Sequence, residues 1–221
     1  FDQQGQEVYS PTNHDDEFIG VATVREHLNL SRNIPAVKAL EAATPQAVAQ
    51  RASELGYSDV QPFFSLSLGS FEVTPLQHAA AFSAFANGGT QVEPHFIRSV
   101  IDAEGDILYQ ANPRLTRVWS EQTAYVVLDL LHGNVTDVNP TAFSWRAAVE
   151  GRWVAGKTGT TNDEKDIWFV GITPGMVAAV WIGYDEPQPI PKTMVRSDGT
   201  QNTVNSSRQP IYAWTDFVEN A

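Results

Sequence analysis

The sequence predicts an α+β fold, in which a largely helical part is followed by an antiparallel sheet and one covering helix. Three observations carry this prediction. Capped segments of helical periodicity fill the first two-thirds of the 221 residues. From residue 153 the pattern changes to short apolar runs separated by turn residues. The chain then closes with an amphipathic segment, QPIYAWTDFVENA. We therefore expect residues 1–152 to form a mainly helical lobe and residues 153–221 to form the sheet strands and the closing helix.

The predicted helices carry recognisable start signals. Thr23 and Glu26 stand at capping-box spacing, where each side chain serves the backbone amide of the other residue. Thr44 and Thr74 each precede a proline, which combines a hydroxyl N-cap with proline at the first helical position. The Ala-rich helix after Thr74 is expected to be buried on several sides.

Two helix boundaries are predicted from proline and glycine. Pro35 disfavours helical backbone at the residue before it, so residues 31–34 are expected to form a bend. The segment SEQTAYVVLDLLHG is expected to form a helix that ends at Gly133. Between the helices, FIRSVIDAEGDILYQ predicts a hairpin that turns at Glu104-Gly105.

The strand-like runs are WVAGKTGTT, DIWFVGITP and MVAAVWIGYDEP. They are rich in β-branched and aromatic residues and lie one short turn apart. This spacing is typical of an antiparallel meander.

The composition excludes several classes of function. Fourteen Lys and Arg residues stand against 26 Asp and Glu residues, for a formal net charge of -12. Such a balance argues against a nucleic-acid surface and against an anionic membrane surface, since both require clustered basic residues. Cysteine is absent, and the five histidines show no ligand spacing with acidic partners, so we expect no metal and no other cofactor.

The stretch GKTGTT formally completes a phosphate-loop pattern. Gly151 stands five residues before Gly156, which is followed by Lys157 and Thr158. The residues between the two glycines, however, read as an incoming strand, and a charged turn and another strand come after GKTGTT. A phosphate loop must instead open a helix whose N-terminus holds the phosphates. We therefore disfavour nucleotide binding.

If GKTGTT is a strand, the same residues are suited to recognise an anion and a peptide. Side chains alternate along a strand, so Lys157 and Gly159 are expected on one face and Thr158 and Thr160 on the other. The lysine supplies positive charge and the hydroxyls can bind a carboxylate. Gly159 permits close approach of a substrate backbone, and a free strand edge can pair with an extended peptide.

The sequence resembles the penicillin-binding proteins, in particular the transpeptidase domain of the bifunctional class A type. That superfamily carries Ser-x-x-Lys, Ser-x-Asn and Lys-Thr-Gly in this order. Here Ser-x-Asn is Ser31-Arg32-Asn33, and Lys-Thr-Gly is Lys157-Thr158-Gly159. The flanks SRNIPAVKAL, LSLGSFEVTPLQHAAAFSAFANGG and WFVGITPGMVAAVWIGYD are also similar to class A sequences, so the resemblance covers nearly the whole chain. It implies a penicillin-binding, serine β-lactamase-like fold.

The resemblance also implies a reaction and a place in the cell. The reaction is acyl transfer on peptidoglycan stem peptides that end in D-Ala-D-Ala, through an acyl-enzyme that β-lactams mimic. It implies work on the extracytoplasmic face of the cell membrane, with membrane attachment only through an anchor before this chain. The implied site comprises the catalytic residues Ser31, Asn33 and Lys157 and the substrate-binding residues Thr158, Gly159, Thr160 and Thr161.

Each of these residues has an implied role. Ser31 would relay a proton to the leaving amine, and Asn33 would orient the substrate and a lysine. Lys157 would stabilise anionic species and bond to Ser31. Thr158 and Thr160 would hold the terminal carboxylate, and the Thr160 N–H would complete an oxyanion hole.

Two features depart from the family pattern. Residues 134–153 are longer and less glycine-rich than the usual approach to Lys-Thr-Gly, which predicts an altered cleft rim. No serine of the chain has a lysine three positions later, so Ser-x-x-Lys is missing. We expect that motif before Phe1, on an upstream segment with which this chain must combine. The chain alone is then expected to be inactive and to fold properly only with that segment present.

Two alternative functions remain open on the sequence alone. A D,D-carboxypeptidase or β-lactamase-like hydrolase would share the site but deacylate onto water. A non-catalytic penicillin-sensing or scaffold module would not turn over substrate. Only the upstream sequence separates these functions, because Ser-x-x-Lys is compulsory for the enzymes.

Overall fold

The computed structural model describes residues 9–137, 144–195, 199–203 and 208–221. The α-helices of these ranges are α1 (Val24–Asn29), α2 (Asn33–Ala43), α3 (Pro45–Glu54), α4 (Pro75–Ala86), α5 (Glu121–Thr136) and α6 (Gln209–Glu219). The strands are β1 (Thr90–Val92), β2 (Ser99–Ile101), β3 (Ile107–Gln110), β4 (Leu115–Arg117), β5 (Ala155–Thr160), β6 (Ile167–Thr173), β7 (Met176–Ile182), β8 (Thr193–Val195) and β9 (Gln201–Thr203).

The central sheet is the antiparallel meander β5-β6-β7 that the sequence predicts. Its register pairs Lys157 with Val170 and Gly159 with Trp168. Helices α4 and α5 cover one face of this sheet and α6 covers the other. The α+β architecture is therefore confirmed, with the closing helix where the sequence places it.

Helix α6 packs through fully buried aromatic and aliphatic side chains. Trp214, Ile211 and Val218 are all inaccessible to solvent, and Trp214 meets Phe169 of β6 edge to face at 5.3 Å between ring centroids. Gly171 lies beneath the indole, where a Cβ atom would stand only 2.3 Å from Trp214. The sheet needs glycine at this position because the indole occupies the space of a side chain.

The opposite face of the sheet packs on the helical part. Ala155 and Ile172 form a buried cluster with Leu131 of α5, and Phe82 of α4 packs against it. Because paired residues of an antiparallel ladder share a face, Lys157, two residues after Ala155, also points toward the helical side. The cleft therefore lies between β5 and the helical lobe.

The predicted helix starts are confirmed. Thr23 forms the capping box with Glu26, Thr44 accepts a hydrogen bond from the Ala47 N–H, and Thr74 caps α4. Each threonine satisfies an amide that the first helical turn leaves without an intrahelical partner.

The expected bend over residues 31–34 is wrong in its extent. Helix α2 already begins at Asn33, and Pro35 is its third residue. Proline is tolerated there because the first amides of a helix have no intrahelical acceptor in any case. The bend is confined to the turn before Asn33.

The predicted end of α5 at Gly133 is also wrong, since the helix continues to Thr136. Gly133 is explained instead by a tertiary contact. A Cβ atom there would lie 2.4 Å from Arg25 Nη1, so the glycine makes room for a guanidinium of α1.

The helical part carries two short antiparallel ribbons. β2 and β3 form the predicted hairpin, and Gly105 takes a left-handed backbone in its turn. β1 pairs with β4 around this hairpin, which the sequence did not predict because three-residue strands leave no periodic signal. The hairpin of β8 and β9 was likewise not predicted.

Residues 134–153 are only partly described. Their first residues belong to α5, and Ser144–Ala147 form a 3₁₀ turn beside α6. Residues 138–143 fall outside the described ranges, and the altered cleft rim stays a prediction. Among the described helices, none has the length and apolar character that crossing a membrane requires.

Candidate active site

The structure joins the two motifs that the sequence separates by more than half its length. Lys157 Nζ donates a hydrogen bond to Ser31 Oγ over 2.8 Å, and a second one to the carbonyl of Thr158 over 3.0 Å. A charge-assisted bond of this length fixes both side chains. Ser31 is exposed, so the pair lies at the open mouth of the cleft.

Strand β5 runs from the core to solvent within six residues. Ala155 and Gly156 are buried, Lys157 and Thr158 are half-buried, and the strand ends in exposed residues. This course places Lys157 at the boundary between core and cleft. Burial disfavours the charged ammonium and lowers the pKa of Lys157 from 10.5 to about 8.

Ser31 is presented by a strained turn. It follows α1 and has a left-handed backbone with φ of 52°, which costs about 1 kcal/mol or more for a residue with a side chain. The turn is held by the amides of Ser31 and Arg32, which donate to the carbonyls of Leu28 and His27. Such strain is retained where a turn must aim one side chain.

Asn33 is held by the segment that precedes α1. Its Nδ2 donates to the carbonyl of Thr12 over 2.8 Å, and Asn13 Oδ1 accepts from the Ile34 N–H. Arg32 forms an ion pair with Asp15 in the same segment. Contacts from residues 12–15 thus fix the start of α2 and hold the Ser-x-Asn turn in place.

One edge of β5 is bonded to β6 and the other faces the cleft. Thr161 N–H donates to Asp166 O on the β6 side, so odd-numbered residues point their backbone groups toward β6. Even-numbered residues therefore point theirs toward the cleft, including Thr158, whose carbonyl accepts from Lys157. By the same alternation the Thr160 N–H and C=O face the cleft mouth.

The turn between β5 and β6 uses Thr161 as a structural group. Its hydroxyl accepts from the Asp166 N–H over 2.8 Å, while the Asp166 carboxylate accepts from Trp181 Nε1 over 3.0 Å. Asp166 is half-buried, and hydrogen bonds to Thr161 and Trp181 hold it in place. The turn holds the end of β5 rigid next to Thr160.

An aromatic cluster lies beside Gly159 on the same face of the sheet. Trp168, the cross-strand partner of Gly159, meets the His78 ring of α4 at 5.2 Å, and His78 Nδ1 shares a hydrogen bond with Tyr57 Oη over 2.6 Å. Burial lowers the pKa of His78 to about 4 and raises that of Tyr57, so both groups are neutral near pH 7. Through these contacts the cluster packs the sheet against the helical lobe.

Two positions that sequence reasoning missed contact the entry of β5. His132 and Asn134 of α5 bond through their side chains to the carbonyls of Val154 and Gly156. No local signal marks them, because each bond spans 22 residues.

The chain is similar to proteins of known family. The chain matches the family described as penicillin binding protein transpeptidase domain over residues 1–206. It belongs to that family. It is 35% identical to penicillin-binding protein 1A of Aquifex aeolicus over 219 residues, which is 99% of this chain and 28% of that protein. This transpeptidase-family chain thus spans less than a third of the length of that relative.

Solved structures agree on the fold of this penicillin-binding protein chain. Penicillin-binding protein 1A from Haemophilus influenzae superimposes with a TM-score of 0.75 at 26% identity, over 85% of this chain and 34% of that chain. The PonA1 protein from Mycobacterium tuberculosis, in complex with penicillin V, superimposes with a TM-score of 0.77 at 24% identity, over 94% of this chain and 58% of that chain. In the part of this chain that the structure describes, no three His, Asp or Glu side chains are grouped to hold a metal ion.

Proposed function

We propose that this chain is the C-terminal part of a peptidoglycan D,D-transpeptidase domain and supplies one wall of its acyl-transfer cleft. The observation that carries the proposal is the hydrogen bond from Lys157 Nζ to Ser31 Oγ, between the second and third motifs of the penicillin-binding protein family. The nucleophilic serine and its lysine belong to an upstream Ser-x-x-Lys segment of the same protein.

Strand β5 is suited to bind the D-Ala-D-Ala terminus. Its free edge can pair with an extended peptide, and Lys157 supplies a positive charge for the terminal carboxylate. Thr158 and Thr160 alternate with Lys157 along β5, and strand twist at the open edge brings their hydroxyls to the same carboxylate. Gly159 leaves room for the substrate backbone. Thr161 shapes the end of the strand through its bond to Asp166.

The chemistry divides into two acyl transfers. The upstream serine oxygen bonds to the penultimate carbonyl carbon, while the serine proton passes to the upstream lysine and the carbonyl oxygen becomes an oxyanion. The Thr160 N–H is one donor to that oxyanion, where a donor contributes about 3 kcal/mol of transition-state stabilisation. The C–N bond then breaks, and Ser31 passes a proton to the leaving D-Ala amine.

The second step reverses the first with a new amine. An amine of a neighbouring stem peptide attacks the acyl-enzyme, loses its proton through the same groups, and releases the serine. Asn33 serves to orient the substrate amide in both steps. β-Lactams enter as acylating mimics of the first step.

The test uses a fluorescent penicillin and the full-length protein, with its upstream polypeptide included. We expect one covalent label on the protein, and a fall of two orders of magnitude or more in the acylation rate for Lys157→Ala. Lys192→Ala is the matched control, since this lysine is exposed and belongs to neither motif. Absence of a label, or equal rates for both variants, would refute the proposal.

The same full-length protein separates the alternative functions when a stem peptide that ends in D-Ala-D-Ala replaces the penicillin. A transpeptidase consumes the acyl-enzyme faster when an amine acceptor is added, whereas a carboxypeptidase or β-lactamase releases it to water at a rate that the acceptor does not change. A scaffold module without the nucleophile forms no acyl-enzyme, and a penicillin sensor takes the penicillin label but does not turn over the peptide. Full activity, peptidoglycan as partner and an extracytoplasmic location belong to the whole protein, and we expect the isolated chain to show no turnover.

A further inference from the structure

Helix α5 contacts the helix that leads to Ser31. The Arg25 guanidinium of α1 donates to the Asp129 carboxylate and to the Asp129 carbonyl. At the end of α1, Asn29 Nδ2 donates to Asp137 Oδ2, the residue that caps α5, over 2.9 Å. The turn that carries Ser31 is therefore docked on α5 at two points.

The last turns of the same helix also bind the strand that leads to Lys157. Asn134 Nδ2 donates to the Gly156 carbonyl over 2.7 Å, and His132 Nδ1 donates to the Val154 carbonyl over 2.6 Å. Both carbonyls belong to even-numbered residues and point away from β6. The side chains of α5 thus take the place of a neighbouring strand along the buried part of the β5 edge.

The Asn134 bond is the more constrained of the two. Asn134 is 2% exposed, so its amide and the Gly156 carbonyl have no access to water. Without the Asn134 donor, the buried Gly156 carbonyl has no hydrogen-bond partner, which is energetically costly. A shift of strand β5 along the helix or away from it lowers this cost. Gly156 immediately precedes Lys157, so a shift of its peptide moves Nζ.

We propose that Asn134 is a positioning residue for the acyl-transfer reaction, because its bond to Gly156 O sets the register of β5 on α5. This register holds Lys157 Nζ against Ser31 Oγ, which α1 places from the same helix. The inference rests on the proposed function and adds to it a residue outside the three motifs. It also explains how groups 126 residues apart are held within one hydrogen bond.

The test measures the acylation rate constant, the final labelled fraction and the melting temperature of full-length variants. Asn134→Leu keeps the side-chain size and removes the donor, and we expect the rate constant to fall about 10- to 100-fold while the labelled fraction stays complete. Gln91→Leu is the control. Gln91 is 7% exposed and donates to the Val92 carbonyl over 3.0 Å, in the β1 ribbon. This control should lose thermal stability but keep its rate constant.

Asn134→Asp provides a second measurement, the pH dependence of the acylation rate constant. A purely structural role of Asn134 does not predict this dependence. The aspartate has the same shape, and burial raises its pKa, so it regains a donor only in its protonated form. Relative to the wild-type protein at each pH, its acylation rate constant should recover as the pH falls. The proposal is overturned if both Asn134 variants lower only the labelled fraction and the melting temperature, as Gln91→Leu does.

A failure of the proposed function is distinguishable from a failure of this inference. If the wild-type protein takes no label, the proposed function is wrong, and the positioning role is read from hydrogen exchange. Faster exchange of the Lys157 and Thr158 amides in Asn134→Leu than in Gln91→Leu supports the role. Equal exchange overturns it.

Discussion

At the scale of single residues, Lys157 combines a charge with partial burial. Its ammonium donates to Ser31 Oγ and to the Thr158 carbonyl, and its surroundings lower its pKa to about 8. Because 8 is close to physiological pH, a small rise in pH removes the charge that the proposed carboxylate site requires.

We predict that acylation of the full-length protein slows above about pH 8 as Lys157 loses its proton. Lys157→Arg should remove this decline, because arginine stays charged throughout the accessible range. Its rate at neutral pH should be lower, since the planar guanidinium does not reproduce the single Nζ contact. The measurement is the rate of labelling by a fluorescent penicillin from about pH 6 to about pH 10. The same alkaline decline in both proteins would contradict the prediction.

At the scale of elements, the sheet contains two glycines with opposite purposes. Gly171 of β6 faces the core, where Trp214 occupies the space of a side chain. Gly159 of β5 faces the cleft, and among the residues that the structure describes, a Cβ atom there would meet only Trp168 Cβ, at 3.4 Å. The first glycine therefore serves packing, and the second leaves space at the surface of the strand for the substrate that we propose.

We predict that Gly171→Ala lowers the free energy of unfolding by about 2 kcal/mol, since the buried indole cannot move without disturbing Phe169. Gly159→Ala should change it by less than about 0.5 kcal/mol and should instead slow acylation, because the methyl group obstructs the substrate backbone. Denaturant unfolding and labelling rates on both full-length variants check this contrast. Equal changes in the free energy of unfolding and in the labelling rate for the two variants would contradict the prediction.

At the scale of the whole molecule, neutral and half-buried groups join the helical lobe to the sheet. His78 of α4 packs on Trp168 of β6 and bonds to Tyr57, with its pKa lowered to about 4 by burial. The unfolded chain binds a proton at His78 below about pH 6.5, whereas the folded chain does so only near pH 4. Stability is therefore lost as the pH falls through this window and is present in full above it.

We predict that the His78 contribution to the free energy of unfolding falls by roughly 3 kcal/mol between about pH 6.5 and pH 4, from the shift of its pKa. His78→Gln, which retains an acceptor for Tyr57, should lose correspondingly less stability over this range. Denaturant titrations of the two full-length proteins at several pH values measure the difference. Parallel curves would show that His78 does not titrate in this way.

Much of the fold could be predicted from local signals in the sequence. Hydroxyl caps and prolines located the starts of α1, α3 and α4, because capping is decided within four residues. The change of period at residue 153 located the meander, since short runs of apolar, β-branched and aromatic residues separated by turn residues are typical of strands. The predictions were wrong where a residue far along the chain determines the local structure. Gly133, for example, makes room for Arg25 and does not end its helix.

The sequence by itself determined the family and the residue types of the cleft, through Ser31-x-Asn33 and Lys157-Thr158-Gly159 with their flanks. Only the tertiary structure decided that Ser31 and Lys157 touch, and that one helix contacts the elements carrying both. Hydrogen bonds such as that of Asn134 to Gly156 satisfy buried carbonyls with partners far along the chain. Such partners are set by packing and leave no pattern in the local sequence.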